Sequence, residues 1–273
     1  MSRWARVMND NFHGNDYNDY WHSLRASSKY HPANRFRYYY ITKLLKSYCP
    51  LDAPKVLDLG CGDGELLRHV AGMFPSCQLV GADISAEQIK RNTVNHPDME
   101  FFTFDAGASE LPQILRHKFD IVLSSEVIEH IPNDDNFISN ICELLKEDGV
   151  MLLSTQSGRM FRMDLEVLGH LRAYEPAGLK PRLEAKGLRV LTAFKTGFPV
   201  LSLQKRMVDL LFERVVKSFA RGEAPGTLGR LMMTMMYQGM IWCRRLPFGP
   251  QLFIIGKRIK HDMANSRQGR EAS

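Results

Sequence analysis

The densest chemistry in the chain lies in Val56-Leu57-Asp58-Leu59-Gly60-Cys61-Gly62-Asp63-Gly64-Glu65-Leu66-Leu67. An apolar run of strand type enters a glycine-rich turn and opens a helical pattern. Gly60, Gly62 and Gly64, at spacing two, let backbone approach a ligand where a Cβ would collide. The helix start beyond them offers unpaired N–H groups and a positive dipole end, which suits a phosphate or a carboxylate. A dinucleotide loop, G-x-G-x-x-G, would need its third glycine at position 65, which is Glu65. Asp58 precedes the first glycine, where it repels a pyrophosphate and attracts an ammonium. Together these features point to a zwitterionic amino-acid ligand rather than a nicotinamide dinucleotide. Asp83, at the end of Leu79-Val80-Gly81-Ala82-Asp83, stands about twenty positions further on, where an acid accepts from ribose hydroxyls. Asp105, in Phe102-Thr103-Phe104-Asp105-Ala106, is expected to end a third strand and to accept from an exocyclic adenine amine.

A second reactive group is Ser124-Ser125-Glu126-Val127-Ile128-Glu129-His130-Ile131-Pro132. If this segment is helical, Glu126, Glu129 and His130 share one face at i, i+3 and i+4. Two carboxylates and an imidazole suit a divalent cation. His170, in Gly169-His170-Leu171-Arg172-Ala173-Tyr174-Glu175-Pro176, is placed to reach the same mouth. The same side chains also serve without a metal: His130 or His170 as general base, with Glu129 beside it. The spacing leaves both readings open.

The elements that must position these groups alternate. Strand patterns cover Lys55 to Leu59, Gln78 to Ala82, Met99 to Phe104, Phe119 to Ser124, Gly149 to Ser154, Leu188 to Phe194 and Gln251 to Lys257. Helical patterns cover Asn34 to Tyr48, Glu65 to Phe74, Ala86 to Val94, Asp135 to Lys146, Pro176 to Lys186 and Val200 to Ala220. Glu223 to Gly229 reads as a Gly/Pro break before a Met-rich helix. Such alternation predicts βαβ units in a doubly wound, mainly parallel sheet, with ligands at the carboxyl ends of its strands.

These motifs as a set resemble the class I S-adenosylmethionine-dependent methyltransferases, over roughly residues 50–195 plus the last strand. The resemblance implies a Rossmann-like sheet of seven strands with the last antiparallel. It implies S-adenosyl-L-methionine as cofactor, with Asp58, Gly60, Cys61, Gly62 and Gly64 along its methionine part and Asp83 on its ribose. Ile84, Asp105 and Ala106 would flank the adenine, and Ser125 and Glu126 would complete the pocket. E-x-x-E-H with a later histidine is similar to two groups, the ubiquinone-biosynthesis O-methyltransferases and the small-RNA 3′-terminal 2′-O-methyltransferases. In both, the resemblance implies a divalent metal, here on Glu126, Glu129, His130 and His170. Other bacterial small-molecule methyltransferases carry V-x-E-H and G-H-x-R-x-Y without an assigned metal.

The expected organisation is an N-terminal helical cap (1–49), a methyltransferase domain (50–260) and a polar tail (261–273). Tyr17, Tyr20, Trp21 and the Arg35–Tyr40 segment are expected to cover the acceptor. A helical insert, 199–250, holds eight Lys/Arg against three Asp/Glu and six of the fourteen methionines. Flexible apolar surface beside basic charge suits either a packed lid or a peripheral membrane contact. An apolar lid implies an apolar or amphipathic small-molecule acceptor.

Composition bounds the rest. The 273 residues are 44% hydrophobic and 24% charged, which excludes a disordered or fibrous chain. Five widely spaced cysteines without C-x-x-C imply neither a disulfide framework nor a zinc knuckle. No run of 18 apolar residues predicts a membrane span. With no signal-peptide pattern in Met1 to Gly14, a cytoplasmic protein is the expectation. The net charge of +6 sits mostly in the insert, and no aromatic RNA-binding signature accompanies it, so nucleic acid is not the expected partner. The leading expectation is methyl transfer to an oxygen of a small molecule. RNA 3′-end modification and an inert cofactor-binding scaffold are the alternatives.

Overall fold

The computed structural model describes residues 30–220 and 225–259, with the side chains of 217–220 outside that description. Tyr17, Tyr20, Trp21 and the expected 261–273 tail lie outside the described residues. In chain order the elements are α1 (Pro32–Tyr48), β1 (Lys55–Leu59), α2 (Glu65–Ala71), β2 (Gln78–Asp83), α3 (Ala86–Asn95), β3 (Glu100–Thr103) and β4 (Phe119–Ser125). They continue with α4 (Asp134–Leu144), β5 (Leu145–Gln156), α5 (Pro176–Ala185), β6 (Leu188–Thr196), α6 (Val200–Leu210), α7 (Phe212–Ala220), α8 (Thr227–Trp242) and β7 (Gln251–Arg258).

The strands form one seven-stranded sheet in the order β3-β2-β1-β4-β5-β7-β6. All pairings are parallel except those of β7, which runs antiparallel to β5 and β6. The order reverses direction between β1 and β4, and that switch point opens a crevice beyond their carboxyl ends. Side chains alternate across the sheet with period two. Val56 joins the core under α1 and α2 with Ile41, Leu67 and Phe253. Leu57 and Leu59 join the opposite core with Phe137, Ile141, Leu179 and Leu183 of α4 and α5.

Four readings of the sequence are corrected. Val200 to Ala220 is not one helix: it breaks at Leu211 into α6 and α7, with Phe212 buried under the Arg162 guanidinium at 4.0 Å. Asp105 does not end β3, which stops at Thr103; its Oδ1 instead accepts from the Gly107 N–H at 2.8 Å, a local turn that competes with the ladder. The helix after the glycine loop stops at Ala71 rather than Phe74, with Gly72 following. Finally, 126–130 is not an α-helix. Glu126 takes a left-handed φ of 58° and only Ile128–His130 forms a short 3₁₀ turn, so the i, i+3, i+4 face does not exist.

One polar hub fastens the loop that carries His170. The Asp134 carboxylate, in the first turn of α4, accepts from Tyr174 Oη at 2.6 Å and from Arg182 of α5 at 2.6 and 2.9 Å; Arg172 lies 2.9 Å away. Burial opposes ionisation, but the Arg182, Tyr174 and Arg172 hydrogen bonds outweigh it and hold this carboxyl well below the usual range. A depressed folded pKa stabilises above the unfolded value and loses that contribution as pH falls. Asp134→Asn is therefore expected to cost about 2 kcal/mol at pH 7, for these charge-assisted bonds have partly exposed arginines. Denaturant melts should show the gap to wild type narrowing below pH 4.

Candidate active site

The glycine loop is set by backbone bonds to β2. Gly60 and Cys61 N–H groups both donate to Ala82 O, at 2.8 and 2.9 Å. The Gly62 N–H donates to Asp83 Oδ2 at 2.9 Å, and Asn92 Nδ2 of α3 donates to Gly62 O at 2.7 Å. Asp83 Oδ1 accepts from the Ser85 N–H at 3.0 Å, so one carboxylate holds both the loop after β1 and the start of α3. Two carboxylate oxygens offer about four lone-pair positions, which leaves Asp83 capacity for hydroxyl donors. Gly60 has φ +83°, and a Cβ there would stand 2.3 Å from Val127 Cγ2. Only glycine permits both.

A cavity of about 410 Å³ begins at this loop. Asp58, Gly60, Cys61, Asp83, Ile84, Asp105, Ala106, Ser125 and Glu126 all line it. Gly62 and Gly64 do not: Gly62 is spent on the bonds above, and Gly64, φ +76°, caps α2 in the left-handed conformation. Asp58 is buried, and burial, then Asp83 and Asp63, push its carboxyl up to about 8. The Cys61 thiol is likewise raised well above its ordinary value by burial, which keeps it unreactive.

The cavity runs on to His130 and His170, whose rings meet edge to face at 4.7 Å. Gln156 Nε2 donates to Asp164 Oδ2 at 2.9 Å, so its Oε1 must accept from His170 Nδ1–H, at 2.8 Å. That assigns the His170 proton to Nδ1 and leaves Nε2 with a lone pair. Burial lowers both histidines, His130 to about 4, so both are neutral at pH 7. Glu129 is fully buried. Its Oε2 accepts from Thr155 Oγ1 at 2.9 Å, and burial, then Glu126, raise it to about 8.

Glu126 is elsewhere engaged. Arg37 of α1 pairs with it at 3.4 Å and Gln251 Nε2 of β7 donates to it at 2.8 Å. Burial opposes its charge, but these two partners hold it below the usual carboxylate range. Among the described residues, the group able to share a cation is Glu129, His130 and His170, with one ligand atom each within 4.8 Å of the others. Glu126 lies outside that group, which corrects the four-residue reading. The set fits a divalent cation: Glu129 Oε1 is buried without a hydrogen-bond partner, and two imidazoles with one carboxylate suit a transition metal.

Sequence reasoning missed Arg37 as the partner of Glu126, and also Gln156, Asp164, Gln204, Lys205 and Gln251. They come from α1, β5, the loop after it, α6 and β7, and no local spacing links them. Of the Arg35–Tyr40 segment, Arg37 and Tyr38 line the cavity.

The chain matches the methyltransferase-domain family model over residues 33–193. It belongs to the class I S-adenosylmethionine-dependent methyltransferases. Among curated relatives, the ubiquinone biosynthesis O-methyltransferase of Chelativorans sp. (strain BNC1) is 32% identical over 121 residues, 44% of this chain and 47% of that protein. The enzyme of the same name from Bartonella bacilliformis is 28% identical over 160 residues, 55% of this chain and 63% of that protein. The match thus spans about half the length of these relatives. The Haemonchus contortus phosphoethanolamine N-methyltransferase 2, solved with S-adenosyl-L-methionine, superposes with a TM-score of 0.59 at 15% identity, covering 95% of this chain and 61% of that one. The 4+2 cyclase SpnF superposes at 0.52 and 17% identity, covering 81% and 80%. At such identities the likeness is one of fold, and this fold carries more than one reaction.

Two predictions follow from the cofactor end. Asp83→Ala should abolish S-adenosylhomocysteine binding measured by calorimetry; wild-type affinity would remove the ribose assignment. An ammonium facing Asp58 favours its carboxylate, whereas the free protein holds this proton below about pH 8. Binding should therefore release a proton, and affinity should rise between pH 6 and 8. In Asp58→Asn that slope should vanish.

Proposed function

We propose that this protein transfers the methyl group of S-adenosyl-L-methionine to an oxygen of a small apolar or amphipathic molecule. The observation that carries this reading is a single cavity. It joins the carboxylates of the glycine loop to a neutral histidine pair with a lone pair on His170 Nε2. Phe161, Met163, Leu168, Leu201 and Val208 give the cavity apolar lining, so an apolar body fits there.

A sulfonium is already a strong methyl donor, so the chain has three tasks. It must align donor and acceptor, exclude water, and receive one proton. Asp58 and Asp83 fix the donor. The apolar wall excludes water. An oxygen nucleophile loses its proton to the imidazole of His170, whose Nδ1–H is held by Gln156 and whose Nε2 is thereby kept as the acceptor. Asp164 orients Gln156, and Lys205 of α6 pairs with Asp164 at 2.8 Å. A divalent cation on Glu129, His130 and His170 would supply Lewis acidity that lowers the hydroxyl pKa. The unpartnered Glu129 Oε1 supports that second route.

The test is an acceptor screen with amphipathic phenols, run with and without a chelator. His170→Ala is expected to lower kcat by about 100-fold, the usual scale for a positioned base, with S-adenosylhomocysteine affinity unchanged. Unchanged turnover would take His170 out of the reaction. Transfer to amines but not to hydroxyls would overturn the oxygen assignment.

A further inference from the structure

The helices between β6 and β7 combine two properties that a simple lid does not need. Helix α6 builds the cavity with Leu201, Gln204, Lys205 and Val208. On its other side it exposes Leu203, Met207 and Leu210, spaced i, i+4 and i+7, with Leu210 78% exposed. Helix α8 packs on α1 through Thr234 and Tyr237, which meet Arg35, and through buried Met240. Away from α1 it exposes Leu228, Leu231, Met232, Met235 and Trp242, spaced i, i+3, i+4, i+7 and i+14, with Trp242 86% exposed. Leu246 and Phe248, between α8 and β7, are exposed as well. Soluble surfaces rarely leave two neighbouring helices with apolar residues exposed at this spacing.

Charge selects the occupant. Arg206, Arg214 and Arg245 are exposed and make no ion pair among the described residues. Arg230, on α8, is also exposed and stacks on Tyr30. Over 199–250 cations exceed anions by five, although the whole chain has an excess of only six. A protein partner would need its own acidic, apolar complement. A bilayer with anionic headgroups presents both at once. Among the described residues no helix is long and apolar enough to cross a membrane, so the mode of contact is shallow insertion of side chains.

We infer that the α6 and α8 faces dock this protein on anionic lipid bilayers, with α6 acting as the partition between the lipid surface and the acceptor end of the cavity. The inference deepens the acceptor reading above and rests on it for the identity of the cargo, not for the docking itself. An amphipathic acceptor dissolved in the bilayer would reach the histidine pair across one helix.

The experiment is co-sedimentation of the full chain with vesicles of phosphatidylcholine containing 30% phosphatidylglycerol, against vesicles of phosphatidylcholine alone. Expected is at least tenfold stronger binding to the anionic vesicles, weakened at high salt, with a blue shift of tryptophan emission that is lost in Trp242→Phe. Replacing Leu210, Leu231 and Met235 together by glutamate should abolish binding while leaving the melting temperature within a few degrees. The proposal is overturned if wild type stays in the supernatant, or if the triple variant still binds. It is also overturned if wild type self-associates at micromolar concentration without vesicles and the triple variant does not, since the face would then belong to a second copy. S-adenosylhomocysteine titration in vesicle-free buffer separates the two readings: its failure would strike the proposed methyl transfer and leave the docking result standing.

Discussion

The close contact of residue 60 with Val127 is the constraint on which the site depends. No Cβ fits between them, so the loop after β1 can lie directly against the loop after β4. These two strands flank the switch point of the sheet, and their loops carry the two halves of the chemistry. Gly60 brings the carboxylates of Asp58 and Asp83 to one end of the cavity. Val127 sits between Glu126 and the 3₁₀ turn that holds Glu129 and His130. A side chain at position 60 would push these halves apart, and the strained left-handed backbone at Glu126 leaves little room to compensate.

Around that contact the structure keeps several acidic groups in places where charge is costly. It treats them differently. Asp83 is given backbone N–H donors, Glu126 is given a guanidinium and an amide, and Asp134 is given a cluster of donors. Burial remains the dominant influence on Asp83, Asp58 and Glu129: all three are raised, Asp83 despite its N–H donors, Asp58 and Glu129 to about 8. A buried carboxyl without a compensating cation stays protonated. In the proposed reading, the cation that meets Asp58 is an amino acid's ammonium. For Glu129, beside two neutral imidazoles, it is either a metal or the proton it already holds.

The helices before β7 couple this interior to the outside. Lys205 anchors α6 to Asp164, and through Asp164 and Gln156 to the ring of His170. The same helix turns leucines and methionine outward. Any displacement of α6 would therefore be felt at the histidine through a chain of three polar contacts.

The sequence by itself determined the sheet, the glycine loop and the acidic end of β2, because these are written in local periodicity. Period-two strands, 3.6-period helices and glycines that only a tight approach explains all act between near neighbours. Asp58, Asp83 and Ser125 fell where the pattern put them, since a strand's end is a local feature. The geometry of 126–130 was decided only by tertiary structure. The spacing there is compatible with a helix, but Arg37 and Gln251, 89 and 125 positions away, hold Glu126 apart from Glu129 and His130. The break at Leu211 and the tautomer of His170 were decided in the same way. Each depends on partners that meet only when the sheet closes, and buried polar groups take the partners that folding supplies rather than those that sequence spacing suggests.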